Sequence, residues 1–202
     1  DDLDALEEQK KQALQAAIVL SELQQTFFKN LGSKENIDID NATMMQISEY
    51  ISAGIGVSTG SIVMGNIGPE AGVQKFGVLG DPLNLSSRIE SLTRFFNTEI
   101  IITAELVKMA KQLNYKVRKI ANIVPKGKTT GCYIYALGRA DDFRFSDKLI
   151  KQWEYFYYLL VERNDFSAVA PEIFRQDALT LKEWYKQGAF DNETKTWILT
   201  QK

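Results

Sequence analysis

Helices laid on a mixed β-sheet, an α+β or α/β sandwich followed by a C-terminal helical hairpin, is the fold class that this sequence predicts. Three observations predict it. A long stretch of helical period opens the chain; short apolar runs of strand length then alternate with helical segments from residue 51 to residue 138; and after Gly138 the composition turns to charged and aromatic residues at helical spacing. The last change places a boundary near Arg139, dividing the chain into residues 1–138 and 139–202.

From Leu3 to Phe28, the apolar residues Leu6, Leu14, Ile18 and Phe28 recur among Gln, Glu and Lys, which predicts one amphipathic helix with one buried face. Residues 30–45, with Gly32-Ser33 and Asp38-Ile39-Asp40-Asn41, hold turn formers without a period and read as a surface loop. Ile51 to Val57 and Ser61 to Ile67 are apolar runs separated by Ser58-Thr59-Gly60, the pattern of a β-hairpin. Gly54, Gly56, Gly60, Gly65 and Gly68 punctuate it, and glycine at this density marks bulges or a close approach by another strand or a ligand.

Gln74 to Gly80 reads as a short strand or extended segment that runs into Asp81-Pro82. Asp at the N-cap followed by Pro at the first helical position starts a helix expected to reach about Phe96, because proline already has the required φ and lacks an N–H that would go unsatisfied. A strand over Glu99 to Thr103, a helix over Ala104 to Leu113, and strands over Tyr115 to Val124 and Cys132 to Leu137 follow. Beyond Gly138, Ser146 to Tyr158 and Ser167 to Tyr185 read as two amphipathic helices. Trp153, Tyr155, Phe156, Tyr157 and Tyr158 form either the core of the helical hairpin, the commoner fate of such a cluster, or a surface for a partner.

A chain of 202 residues with 45 % hydrophobic content can bury a substantial core. A formal net charge of -2 gives no general attraction to nucleic acid or anionic lipid, so any phosphate site has to be built locally. One cysteine, Cys132, excludes an intrachain disulfide framework, and the lack of histidine removes the commonest general base and metal ligand. The expectation is an intracellular, cytoplasmic protein whose chemistry rests on Asp, Asn, Arg and Lys. No apolar run approaches the roughly 20 residues that span a bilayer. Asp1-Asp2-Leu3-Asp4 carries neither a secretory signal nor an initiator Met, which suggests a start inside a longer polypeptide. No GxxxxGK[ST] segment occurs, so a P-loop nucleotide site is set aside.

Chemistry concentrates in GIGVSTGSIVMGNIG (54–68) and FGVLGDPLNLSSRIESL (76–92). Asn84 and Arg88 are four residues apart and share a helix face, while Leu83, Ile89 and Leu92 are placed to face a core. Taken alone, such an Asn and Arg are more often a surface or capping pair. Pro125-Lys126-Gly127-Lys128 lies between two strands and taken alone is as readily a solvated basic turn.

Together these motifs resemble the class III adenylyl/guanylyl cyclase catalytic domain, a family with a glycine-framed hairpin (GIHTG, then GxIG) followed by GDxVNxAARLE. Gly56-Val57-Ser58-Thr59-Gly60 and Gly65-Asn66-Ile67-Gly68 match the first part, with Ser58 where His is frequent; Gly80-Asp81-Pro82-Leu83-Asn84-Leu85-Ser86-Ser87-Arg88-Ile89-Glu90 matches the second. The resemblance covers about residues 5–138 and implies a ferredoxin-like mixed sheet with its N-terminal part missing. It implies that Asn84 orients the nucleotide ribose and that Arg88 contacts the α-phosphate as the 3′-hydroxyl attacks and pyrophosphate leaves. A guanidinium suits that role, since it offers directed donors to oxygens gaining charge. The family's K-G-K loop gives a lysine to the triphosphate, a role that falls on Lys128, with Lys126 as the nearer alternative.

The position where the family reads the base holds Gly77, which has no side chain for the task. ATP is the expected substrate and GTP the less favoured one. The family's two metal-binding aspartates, for Mg²⁺ or Mn²⁺, precede the first helix seen here, so no metal ligand is assigned in this chain; Asp1, Asp2 and Asp4 read as the acidic start of a helix. Two-metal chemistry then requires residues from elsewhere. The resemblance further implies a homodimer, or pairing with a complementary cyclase domain, in which this segment supplies Asn and Arg across a shared cleft, and an upstream sensor domain. The competing expectation is a non-catalytic, cyclase-like dimerisation or regulatory module.

Overall fold

The computed structural model describes residues 2–31, 53–69, 72–125 and 128–199, leaving aside the side chains of residues 2, 28, 29 and 31. Five α-helices are seen in this part: α1 (Asp2–Leu31), α2 (Asp81–Leu92), α3 (Ala104–Gln112), α4 (Asp147–Glu162) and α5 (Arg175–Lys186). Eight strands accompany them: β1 (Ile55–Val57), β2 (Val63–Ile67), β3 (Lys75–Leu79), β4 (Ile100–Thr103), β5 (Lys116–Val124), β6 (Cys132–Gly138), β7 (Phe190–Asp191) and β8 (Thr196–Ile198). Six form one mixed sheet in the order β1-β4-β6-β5-β8-β7, and β2 and β3 form a separate antiparallel ribbon. The architecture is α+β, as expected; the surface loop expected over residues 30–45 lies outside the described residues apart from its first two positions, which close α1.

Strand β4 explains why helices cover both faces. Its four residues, Ile-Ile-Ile-Thr, are all buried, and alternation sends them in opposite directions. Ile100 and Ile102 join Leu14, Ala17 and Ile18 of α1 and Leu106, Met109 and Ala110 of α3. Ile101 joins the opposite core with Ile89 and Leu92 of α2, Trp153 and Phe156 of α4, Leu181 of α5 and Trp197 of β8. Among the described side chains of α1 the buried face is Leu14, Ala17 and Ile18; Leu6, expected on that face, is exposed, and the side chain of Phe28, also expected there, lies outside the described ones.

The expected hairpin between the runs at 51–57 and 61–67 does not form. β1 instead runs parallel to β4, Ile55 opposite Ile100 and Val57 opposite Ile102, while β2 pairs with β3, Val63 opposite Leu79 and Ile67 opposite Lys75. The apolar runs specify strands, but the choice of partner is non-local: β4, buried on both faces, takes β1 as its neighbour and leaves β2 to the next run.

Beyond Gly138 the chain adds to the same sheet and core. β8 lies parallel to β5 with Ile123 opposite Trp197, and β7 caps it, two strands too short for the periodic reading to mark. The last helix begins at Arg175 rather than near Ser167, because Pro171 holds an extended backbone before a 3₁₀ turn over Glu172–Phe174. Trp153, Phe156 and Tyr157 lie in the core, whereas Tyr155 and Tyr158 are exposed. β5 shifts register between Lys119 and Ala121, and the Trp153 indole N–H donates to the Lys119 carbonyl at that irregularity.

Candidate active site

Two glycines bring α2 onto the sheet edge. A Cβ at Gly54 would collide with the Thr93 hydroxyl, and one at Gly56 would collide with the Ser86 carbonyl and lie 2.7 Å from the Glu90 nitrogen. The object that approaches so closely is therefore, at Gly56, the backbone of α2 and, at Gly54, Thr93 just past the end of that helix, and not a strand or ligand. Pro82 sits in the first turn as expected, but Asp81 is not the cap: Gly80 occupies that position and no side chain caps the helix. Ile89 and Leu92 are buried as expected, whereas Leu83 is about half exposed and Leu85 packs toward the core in its place.

The sequence reading missed a polar clasp on the sheet-facing side of α2. The Ser58 hydroxyl donates to the Pro82 carbonyl at 2.8 Å and lies 2.9 Å from Ser86 Oγ, and Ser86 Oγ accepts the Ser58 N–H at 3.1 Å. Ser86 is about 200° around the helix from Asn84, so the clasp fixes the rotational phase that turns Asn84 outward. The one hint lay in the Ser-Ser step inside a helical segment, since mid-helix serines need a local partner.

Asp81, Asn84 and Arg88 fall at spacings of three and four and form one stripe about 10 Å long on α2. Asn84 is exposed and Arg88 half-buried. At the head of the stripe Lys128 pairs with Asp81. The hairpin loop between β5 and β6 thus delivers an ammonium to the N-terminal turn of α2, bringing Lys128, Asn84 and Arg88 to one helix. Lys126 lies outside the described residues. Gly77 sits apart, in the middle of β3 opposite Gly65, and a Cβ there would lie 2.7 Å from Ile67 Cδ1, so this glycine makes room for Ile67.

Such a stripe combines a cation, an amide and a guanidinium. It can accept a ligand with several anionic oxygens, the peptide N–H groups of the helix start adding to the positive field. It does not fit a divalent cation, because Asp81, the carboxylate at hand, is engaged by Lys128 and no group of three or more His, Cys, Asp or Glu among the described residues could hold a metal ion.

The family model described as "Adenylate and Guanylate cyclase catalytic domain" matches residues 7–137. The "Adenylate cyclase" of Anabaena cylindrica is 37 % identical over 87 residues, which cover 42 % of this chain and 17 % of that protein. The "Adenylate cyclase 1" of Rhizobium meliloti (strain 1021) is 29 % identical over 80 residues, 40 % of this chain and 12 % of that one. Among solved structures, the adenylyl cyclase CyaB from P. aeruginosa is similar at 28 % identity and a TM-score of 0.35, covering 45 % of this chain and 43 % of that chain. The chain spans less than a fifth of the length of either curated relative.

Proposed function

This chain belongs to the adenylate and guanylate cyclase catalytic domain family, and from that premise we propose that it supplies the transition-state-stabilising half of an adenylyl cyclase site. ATP is converted to cyclic AMP and pyrophosphate: a bond forms between the ribose 3′-oxygen and the α-phosphorus as the bond to the leaving pyrophosphate breaks, and the 3′-hydroxyl proton passes to solvent. The observation that carries the reading is the stripe of Asn84 and Arg88 on a clasped helix with Lys128 at its head. Arg88 offers its N–H groups to the α-phosphate oxygens as they gain charge, Asn84 orients the ribose, and Lys128, released from Asp81, takes the triphosphate. Gly77 offers no side chain to the base.

Mg²⁺ or Mn²⁺, where the reaction uses it, would be held by residues other than those described. We assign residues 1–138 to a partial catalytic domain and 139–202 to an extension. The working unit is a homodimer, or a pair with a complementary cyclase domain, under an upstream sensor domain in the cytoplasm. Among the described residues no helix is long and apolar enough to cross a membrane.

Cyclic AMP formation by the full-length protein tests the reading. Arg88→Ala should lower kcat about 10²- to 10³-fold in a folded protein; full activity in that variant overturns the assignment. A second reading, a non-catalytic dimerisation module, draws on the β2–β3 ribbon, where Val63, Met64, Val73, Phe76 and Leu79 are all exposed. It is favoured if no metal supports cyclisation and dimers survive Asn84→Ala with Arg88→Ala.

A further inference from the structure

The buried carboxylate of Asp177 on α5 touches two segments that lead into the proposed site. Its Oδ1 accepts the backbone N–H of Asn97 at 2.8 Å, just after the 3₁₀ turn over Thr93–Phe95 that continues α2. Its Oδ2 lies 2.6 Å from a guanidinium nitrogen of Arg118 on β5, and both side chains are fully buried. Arg118 makes an ion pair there without a well-directed hydrogen bond, and its guanidinium lies over the rings of Phe174 at 4.1 Å and Trp153 at 4.9 Å. Burial pulls the Arg118 guanidinium below its ordinary value and the Asp177 carboxylate opposes that pull.

More of the extension grips the same end of α2. Thr180 donates to the Phe95 carbonyl at 3.1 Å, the Asn97 amide donates to the Ile173 carbonyl at 3.3 Å, and Trp184 meets Phe96 edge-on at 5.6 Å. At the other end of the linkage, β5 runs from Arg118 to Val124, and Lys128 lies four residues beyond it. Helix α2 carries Asn84 and Arg88; the β5–β6 loop carries Lys128. A charge pair removed from water is a weak source of net stability, since desolvation offsets much of its attraction, so its contribution is better sought in the geometry it selects.

We propose that Asp177 is a positioning residue for the cyclase site: through Asn97 and Arg118 it holds the catalytic helix and the strand that leads to the Lys128 loop in one fixed relation, so that the C-terminal extension is a working part of the half-site. The inference rests on the function proposed above and adds a residue that contacts no substrate. A displacement of about 1 Å between groups that must meet one ligand costs up to about 100-fold in rate, which is the scale on which such a linkage acts.

The test uses the full-length protein with Asp177→Asn, which keeps an oxygen for Asn97 but leaves the Arg118 charge unpaired, and the double variant Arg118→Met with Asp177→Asn, which removes both charges and stands in wherever the single variant does not fold. Two readouts are taken: steady-state kinetics with ATP, and amide hydrogen exchange. The folded variant is expected to lose about tenfold or more in kcat with KM for ATP within about threefold, the split that marks lost alignment instead of lost binding. Faster exchange is expected together at residues 93–97 and 119–125. Wild-type kcat beside an inactive Arg88→Ala overturns the inference and leaves the proposed function standing. Full activity in Arg88→Ala overturns the proposed function, and the coupling is then judged by exchange alone: a rise at both segments supports it, and a rise at one or neither overturns it.

Discussion

Gly56→Ala puts a single methyl group between β1 and α2, and its consequences can be worked from the contact it creates. The new Cβ would lie 2.7 Å from the Glu90 nitrogen and 2.9 Å from Ile89 Cγ1, with the Ser86 carbonyl nearer still. Comfortable separation begins at about 3.5 Å, so α2 has to retreat by about 0.8 Å to clear the Glu90 nitrogen and by more than that to clear the Ser86 carbonyl. Backbone cannot rotate aside as a side chain tip can, and the cost falls in the overpacking range of about 1–3 kcal/mol. For a chain of this size that lowers Tm by about 2–12 °C, at about 2–4 °C per kcal/mol. The same shift carries Asn84 and Arg88 away from Lys128, and misplacement on this scale lowers kcat by up to about 100-fold. Gly65→Ala is the comparator, because a Cβ there meets nothing within 4 Å. Thermal unfolding by circular dichroism and cyclic AMP formation per folded molecule are measured for both. A Gly56→Ala protein matching Gly65→Ala in both Tm and kcat would falsify the claim that helix backbone contact sets the site.

Removing the hydroxyl in Ser58→Ala takes away the bonds to Pro82 and Ser86, costing about 1–2 kcal/mol in urea unfolding; Ser58→Thr, which keeps the hydroxyl, should recover most of any lost activity, and failure to do so counts against the clasp. Lys128→Ala should change stability by no more than about 0.5 kcal/mol, because its pair with Asp81 is solvent-exposed, yet raise KM for ATP; a stability loss with KM unchanged would make the lysine structural. Burial pushes the Cys132 thiol up to about 11, so at pH 8 about one thiol in a thousand is thiolate and alkylation by iodoacetamide should be slow, rising about tenfold per pH unit. Since the folded state holds that proton more tightly than the unfolded chain does, its stabilising contribution is complete below about pH 9 and is lost as pH climbs toward about 11. Fast labelling at pH 8 would contradict the burial of this group.

Much of the site was legible because its signals are local. Asp81-Pro82 starts a helix wherever it occurs in such a context, and spacings of three and four place Asn84 and Arg88 on one face of it whatever lies beneath. The role of Asp81 was misread, since a carboxylate that looks like a cap from its neighbours is here drawn to Lys128, a residue 47 positions away. Leu83 was misplaced for a related reason. A helical period defines an apolar stripe but not how far around the cylinder the neighbouring sheet reaches, and here the burial falls on Ile89, Leu92 and Leu85.

Strand identity and strand partnership divide along the same line. Apolar runs of strand length at β1, β2, β4, β5 and β6 were written in the order of residues, as was the long helix α1. Which strands pair, the addition of β7 and β8 to the far edge, the Ser58–Ser86 clasp and the Arg118–Asp177 pair were not. The sequence by itself determined the helices and strands up to Gly138, the helix face that carries Asn84 and Arg88, and the family pattern around them, because each depends on backbone geometry within a few residues. Only the tertiary structure decided which strand β1 joins, which carboxylate meets which cation, and that the last 60 or so residues complete the core. Those outcomes depend on burial and on distances between groups far apart in the chain, and no local pattern encodes them.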